Sequence, residues 1–287
     1  MTVSEVEGVL LVDKPAGMTS HDVVAVARRA LGTRRVGHTG TLDPFATGLL
    51  VLLVGHATRL QPYVDGEPKV YEATIRFGVE TDTGDPTGVA VREAPLPTPA
   101  RLAAVIAQLT GLIDQVPPAY SAKQVDGVRA YAAARRGEPL VLRPATVVVH
   151  QWDVRGQRGA DLDVTITCAG GTYVRALARD LGALAESAAY LTALRRTRSG
   201  HFDVGQAATV DQLREGTAPV LPARAAVPGL PAEQLTDLDA RRVAHGQSVP
   251  ASAAGARAAL VGGDGALLAI ADRDGDTWRP RLVLRAP

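Results

Sequence analysis

The chain has 287 residues, 46% hydrophobic and 21% charged, which are the proportions of an ordinary globular protein long enough for one large domain and a small one. Its single cysteine, Cys168, excludes an intramolecular disulfide and any Cys-x-x-Cys zinc or redox motif, and points to a reducing compartment. The formal net charge is only +1, and lysine occurs only at 14, 69 and 123 while asparagine is absent, a GC-rich coding bias that discounts each arginine cluster as a sign of nucleic-acid binding.

The opening MTVSEVEGVLLVDKP puts acidic residues before a short apolar run, unlike a secretory signal, and no stretch approaches a membrane span, so a cytoplasmic protein with no membrane association is expected. GVLLVDKPAGM reads as a buried strand ending in a turn at Pro15-Ala16-Gly17. A helix follows, capped by Thr19 or Ser20, with Asp22 completing a box from Thr19 and Gly32 at its end. LLVLLVG (49–55) is apolar on both faces and predicts a central strand. VYEATIRFG alternates, with Tyr71, Ala73, Ile75 and Phe77 on one face and Glu72, Thr74 and Arg76 on the other. ETDTGDPTG reads as a loop, and Thr98-Pro99 opens a helix that runs to Gly111.

VPPAYSAKQVDGVRAYAAARRGE starts extended and turns helical through about Arg136. ATVVVHQWDV and LDVTITCAG are expected to be neighbouring strands, GTYVRALARDLGALAE a helix capped by Thr172, and YLTALRRTRSGHF a further strand. The Ala-, Pro- and Gly-rich stretch at about 216–230 reads as a linker. Beyond it, GGDGALLAI and DRDGDTWRPRLVL each carry an Asp-Gly hairpin signal between β-prone runs. The elements interleave without a βαβ rhythm, so the fold class is α+β, with a large domain over 1–225 and a small β domain over 231–287. No internal repeat is visible.

Several chemistries are excluded by spacing. No Gly-Lys pair occurs, so there is no phosphate-binding P-loop, and TDTGDPTG lacks calcium-loop spacing. One cysteine cannot supply a zinc deaminase site, and no G-x-S-x-G elbow is present.

Two positions break local rules. Arg175 falls in the first turn of a helix, where the macrodipole disfavours a cation; it either bends out to solvent or has a carboxylate partner. Asp43, in RRVGHTGTLDPFATGLL, is either an Asx turn before Pro44 or a functional carboxylate made approachable by Gly37, Gly40 and Gly48. Were the two to meet, a bidentate contact contributing about 1.5–3 kcal/mol would hold the carboxylate charged and fix its rotamer. Tyr71 reads as a core aromatic whose hydroxyl needs a partner, and His38 as a hydrogen-bonding loop histidine. Arg195, Arg196 and Arg198 form either a solvated edge or a set of phosphate contacts.

Taken together, GVLLVDKPAGMTSHDVV, RRVGHTGTLDPFATGLL, VYEATIRFGVETDTGDPTG, QVPPAYSAKQVDGVRAY and CAGGTYVRALARDLG resemble the successive motifs of the TruB family, bacterial pseudouridine synthases that act on the T-loop uridine (position 55) of tRNA. The resemblance runs from residue 8 to about 200, and more weakly extends to a PUA-like RNA-binding β domain at the C-terminus. It implies a mixed sheet with flanking helices, and a stand-alone, monomeric isomerase whose partner is the tRNA T-arm. No guide RNA, metal or redox cofactor is implied. Asp43 matches the catalytic aspartate, Arg175 its arginine partner and Tyr71 the tyrosine that stacks on the target uracil. His38 matches the residue that wedges into the T-loop. Tyr173 and Leu194 match positions that line the substrate pocket, and Lys14, grouped with them, belongs to a Lys-Pro motif packed behind it.

Three rivals stand beside this reading. They are a guide-RNA-dependent relative, a non-catalytic RNA-binding protein that keeps the pocket, and a nucleoside hydrolase using one carboxylate. The intact Asp43, Tyr71 and Arg175 and the absence of a basic tail favour the stand-alone isomerase.

Overall fold

The computed structural model describes residues 6–284 apart from Asp65, Ala122, Asp126 and Pro139. Its main sheet is mixed, as the α+β reading expects. The longer strands run, in spatial order, Gly8–Lys14, Thr47–Val54, Ala189–Ser199, Lys69–Phe77, Asp161–Cys168, Ala145–Arg158 and Gly111–Gln115. The first two pair antiparallel from Gly8↔Val54 to Lys14↔Gly48. They are apolar on both faces because both faces are covered. Leu50, Leu52 and Val54 pack on Val23, Val24 and Ala27 of the helix Ser20–Ala30. Leu49, Val51 and Leu53 pack with Leu60, Phe202 and, from a second sheet, Ala259 and Ile270.

That helix begins as its sequence predicts. Thr19 accepts from the Asp22 amide, Asp22 returns the bond to the Thr19 amide, and Gly32 follows the last turn with φ of 61°. The second helix spans Pro99–Gln108 behind a Thr98 cap.

The strand Lys69–Phe77 lies between Asp161–Cys168 and Ala189–Ser199, antiparallel to both. Its alternation has the expected consequence. Tyr71, Ala73, Ile75 and Phe77 are buried against the helices Pro99–Gln108 and Val174–Leu184. Glu72 and Thr74 face the other way, onto a groove of about 630 Å³ whose lining also includes Asp163, Thr165 and Arg195.

Thr47–Val54 meets Ala189–Ser199 in parallel over only two register pairs, Arg195↔Thr47 and Arg196↔Gly48. Gly48 has φ of 100°, and a β-carbon there would collide with the Arg196 carbonyl. Its glycine is therefore explained by this strand crossing and not by the approach of a substrate, correcting the sequence reading.

The stretch read as a linker is packed. Val220–Leu221 pairs antiparallel with Leu10 and Val9, and Ala223, Ala226 and Val227 are buried. It leads to a five-stranded sheet ordered Ala232–Gln234, Arg257–Val261, Leu267–Asp274, Thr277–Val283, Val249–Pro250, which is consistent with a PUA-like domain. Both Asp-Gly hairpins form, with Gly265 and Gly275 at φ of 80° and 57°. Among the described residues no helix is long and apolar enough to cross a membrane.

Glu233 anchors this second sheet from its interior. Burial pushes its carboxyl up, but bonds from the Ala253 amide, the Ser252 hydroxyl, Trp278 Nε1 and the Ser252 amide outweigh that and hold its pKa at about 2. A carboxyl depressed from 4.5 contributes stability that is complete above pH 4.5 and lost as the pH falls towards 2. Glu233→Gln is therefore expected to cost about 3 kcal/mol at pH 7 and to flatten the acid limb of the stability curve, measured by urea unfolding against pH.

Candidate active site

Asp43 sits in the loop 39–46 between the strands Val36–His38 and Thr47–Val54, and four residues outside the loop pin it. The Ser20 hydroxyl donates to the Leu42 carbonyl (3.2 Å) and accepts from its amide (2.9 Å). The Gly17 amide donates to the Pro44 carbonyl at 2.8 Å. Arg196, only 2% exposed, donates to the carbonyls of Gly40 (3.0 Å) and Leu49 (2.8 Å). Lys14, fully buried, donates to the carbonyls of Met18 (2.7 Å), Pro15 (2.9 Å) and Pro44 (3.3 Å).

The last two correct the sequence reading. Lys14 counts among the substrate-binding residues although its Lys-Pro motif is expected behind the pocket; enclosed and donating to three carbonyls, it takes the second of these places and holds the Asp43 loop from behind. Burial, partly offset by the charge of Asp43, lowers its pKa to about 8. Arg196 is neither a solvated edge nor an open phosphate contact, and its neighbour Arg195 pairs with Asp13 at 2.7 and 2.9 Å.

Arg175 is the second residue of the helix Val174–Leu184 and is 4% exposed. Its Nε donates to Asp43 Oδ2 at 2.9 Å and its Nη2 to Asp43 Oδ1 at 2.8 Å. The same guanidinium donates at 2.8 Å to the carbonyls of Thr83 and Tyr120, and Asp85 lies 4.0 Å away. These partners compensate a cation that the helix dipole opposes, and the bidentate contact fixes both oxygens of Asp43. The helix itself opens one residue later than predicted. Tyr173, not Thr172, is the N-cap, with no side-chain capping bond. Gln115 holds it instead, accepting from the Tyr173 amide at 2.8 Å and donating to its carbonyl at 3.2 Å.

Thr83, Asp85, Gln115 and Tyr120, none of them among the expected site residues, also take part in this arrangement. For the first two, a signal existed. In Thr83-Gly-Asp85-Pro-Thr87, Asp85 Oδ1 accepts from the Thr83 hydroxyl and from the Thr87 amide and hydroxyl, a self-bonded turn that presents the Thr83 carbonyl to Arg175.

Tyr71, 7% exposed, packs in the same cluster as Leu42, Ala46, Val174 and Leu194. Burial raises the pKa of its hydroxyl; adjacent Arg196 opposes that shift, and the Asp43 charge adds to it. The structure thus brings Asp43, Arg175, Tyr71 and Leu194 to one place, with Tyr173 at the start of the helix that carries Arg175. His38 ends the strand that precedes the loop and stands edge-on to His21 with ring centroids 5.6 Å apart. Burial lowers its pKa, and its Nδ1 has no hydrogen-bond partner among the described residues. Among those residues no His, Cys, Asp and Glu cluster could hold a metal. The buried Cys168 thiol is pushed up to about 11 by burial, which makes it a poor nucleophile.

Loop support predicts a separable effect. Lys14→Met removes the bond to the residue after Asp43, and turnover is expected to fall about 10²-fold. Because the native Lys14 sheds its proton near pH 8 and the unfolded one near 10.5, wild-type stability gains from this group as pH rises between those values. The variant is expected to lose that gain, read from paired urea titrations at pH 8 and 10.

Residues 28–174 match the N-terminal domain of the TruB family of pseudouridylate synthases. The chain is 47% identical to tRNA pseudouridine synthase B of Thermobifida fusca (strain YX), over 96% of this chain and 98% of that protein. It is 49% identical to tRNA pseudouridine synthase B of Leifsonia xyli subsp. xyli (strain CTCB07), over 84% and 82%. A chain in the crystal structure of a Cbf5-Nop10-Gar1 complex matches with a TM-score of 0.72 at 25% identity, covering 97% of this chain and 85% of that one. With the mixed sheet and the matched sequence spanning nearly its whole length, the chain belongs to the TruB family of pseudouridylate synthases.

Proposed function

We propose that this chain isomerises uridine to pseudouridine at position 55 in the T-loop of tRNA, alone and as a monomer, with Asp43 as its essential carboxylate. The observation that carries this reading is the carboxylate fixed through both oxygens by Arg175, beside an aromatic ring, Tyr71, able to take a base. Relatives called tRNA pseudouridine synthase B, matching the chain over most of its length, support tRNA as the substrate.

The chemistry fits this residue set. The N1–C1′ bond breaks, the freed uracil turns, and a C5–C1′ bond forms; C5 loses a proton and N1 gains one, so no electrons are exchanged. One oriented carboxylate suffices, as a nucleophile at C1′ or C6 or as a base at C2′. The target base leaves its stack at a cost of a few kcal/mol, less in a loop than in a duplex. Stacking on Tyr71 and the wall formed by Leu194 and Tyr173 would offset that cost, His38 would enter the T-loop, and the sheet beyond residue 231 would add a second RNA contact.

The likeness to a chain of the Cbf5-Nop10-Gar1 complex favours one alternative, a synthase that works within a larger assembly. A T-arm stem-loop labelled with tritium at uridine C5 separates the two. With no other RNA or protein present, wild type is expected to release tritium. Asp43→Asn is expected to release it at least about 10³-fold more slowly while still binding the stem-loop. Release only after a further RNA or protein is added, or equal release by the variant, would refute the proposal.

A further inference from the structure

Buried cations normally have an anionic partner, because an unpaired charge out of water is costly. Around the Asp43 loop this balance fails. Arg175 is matched by Asp43, but among the described residues the buried Lys14 and Arg196 and the half-buried Lys69 have no carboxylate within 4.0 Å. Lys14 and Arg196 are satisfied by backbone carbonyls. Lys69 is different, since among the described residues its ammonium makes no hydrogen bond. Of its charged neighbours, the cation Arg196 acts on it more strongly than the Glu67 carboxylate. Glu67 turns instead to the Gly170 amide, accepting from it at 2.8 Å.

A glycine from each of two loops borders this ammonium, and beside the second stands the exposed Glu67 carboxylate, with which a β-carbon on Gly170 would collide. Lys69 Nζ lies 3.5 Å from where a β-carbon would stand on Gly40, in the Asp43 loop, and 3.5 Å from the same point on Gly170, just before the Arg175 helix. Lys69 also shares a strand face with Tyr71, two residues or about 7 Å further along, the span from a base to its own phosphate. Burial lowers the Lys69 pKa, and an arriving anion would reverse that effect.

We propose that Lys69, in the cradle between Gly40 and Gly170, binds the 5′-phosphate of the nucleotide whose base lies on Tyr71. This rests on the pseudouridine synthase reading above. The contact anchors the flipped nucleotide at its backbone, so that the ribose is presented to Asp43 while the uracil is free to turn.

The test combines the protein change with removal of the charge it would meet. Binding is measured for wild type and Lys69→Met with an unmodified T-arm stem-loop and with one carrying a neutral methylphosphonate 5′ to the target uridine. Lys69→Met is expected to weaken binding of the unmodified RNA about 10- to 100-fold, and wild type to lose a similar factor on the neutral linkage. The variant should lose nothing further on that linkage, its salt slope should fall by about 1, and Lys69→Arg should restore most of the affinity. A merely structural lysine would give additive losses, which would overturn the proposal, as would unchanged binding by Lys69→Met. Lys69→Gln serves as the same test if the methionine variant does not fold. Wild type that releases tritium from the unmodified RNA but shows additive losses overturns this site alone; wild type that releases none overturns the synthase reading as well.

Discussion

The ion pair between Arg175 and Asp43 is the contact on which the rest of the site depends. A guanidinium in the first turn of a helix, 4% exposed and opposed by the helix dipole, is tolerable only when its donors are filled. Filling them draws in three segments far apart in sequence: the loop 39–46 through Asp43, the loop 81–88 through the Thr83 carbonyl, and the segment before the short helix Ala130–Arg135 through the Tyr120 carbonyl. The interaction that fixes the carboxylate therefore also ties these three segments together beside it. Its electrostatic requirement and its geometric function are the same requirement.

Whole-molecule charge conceals this local arrangement. A net charge of +1 gives no case for a polyanionic partner, yet Lys14, Lys69, Arg175 and Arg196 converge on one loop that carries a single carboxylate. Two of these cations are satisfied by carbonyls and act as scaffolding for the loop. The cost of burying them is consistent with a loop that must stay in place while a large substrate is drawn against it. Arg195, beside Arg196 in sequence, points to the opposite sheet face and is neutralised by Asp13. Alternation along one strand thus separates a buried structural arginine from a paired surface one.

What could be read from the sequence was whatever is encoded locally. The Thr19–Asp22 capping box, the period-two strand bearing Tyr71, the Asp-Gly hairpins and the cation in the wrong turn of its helix all follow from short-range patterns. Long-range placement was not legible. Nothing in LLVLLVG states that it meets Ala189–Ser199 in parallel, so Gly48 was read as making room for a substrate when it makes room for a strand. Arg196 and Lys14 looked like surface or ligand-binding cations because sequence carries no burial label for a charged residue. The stretch at 216–230 read as a linker because its alanines and prolines lack periodicity, although pairing with the first strand and packing of small side chains order it. The roles expected of Asp43, Tyr71 and Arg175 come through family resemblance alone; what the geometry adds is the contact between Asp43 and Arg175 and the burial of Tyr71.

The most direct test of the central claim is single-turnover tritium release by Arg175→Lys at saturating T-arm stem-loop. Lysine keeps the charge but cannot bond both oxygens of Asp43 while also holding the Thr83 and Tyr120 carbonyls. If orientation of the carboxylate by this pair governs the reaction, the rate should fall at least about 10²-fold with stem-loop affinity nearly unchanged. A rate close to wild type, or a loss confined to affinity, would contradict the account.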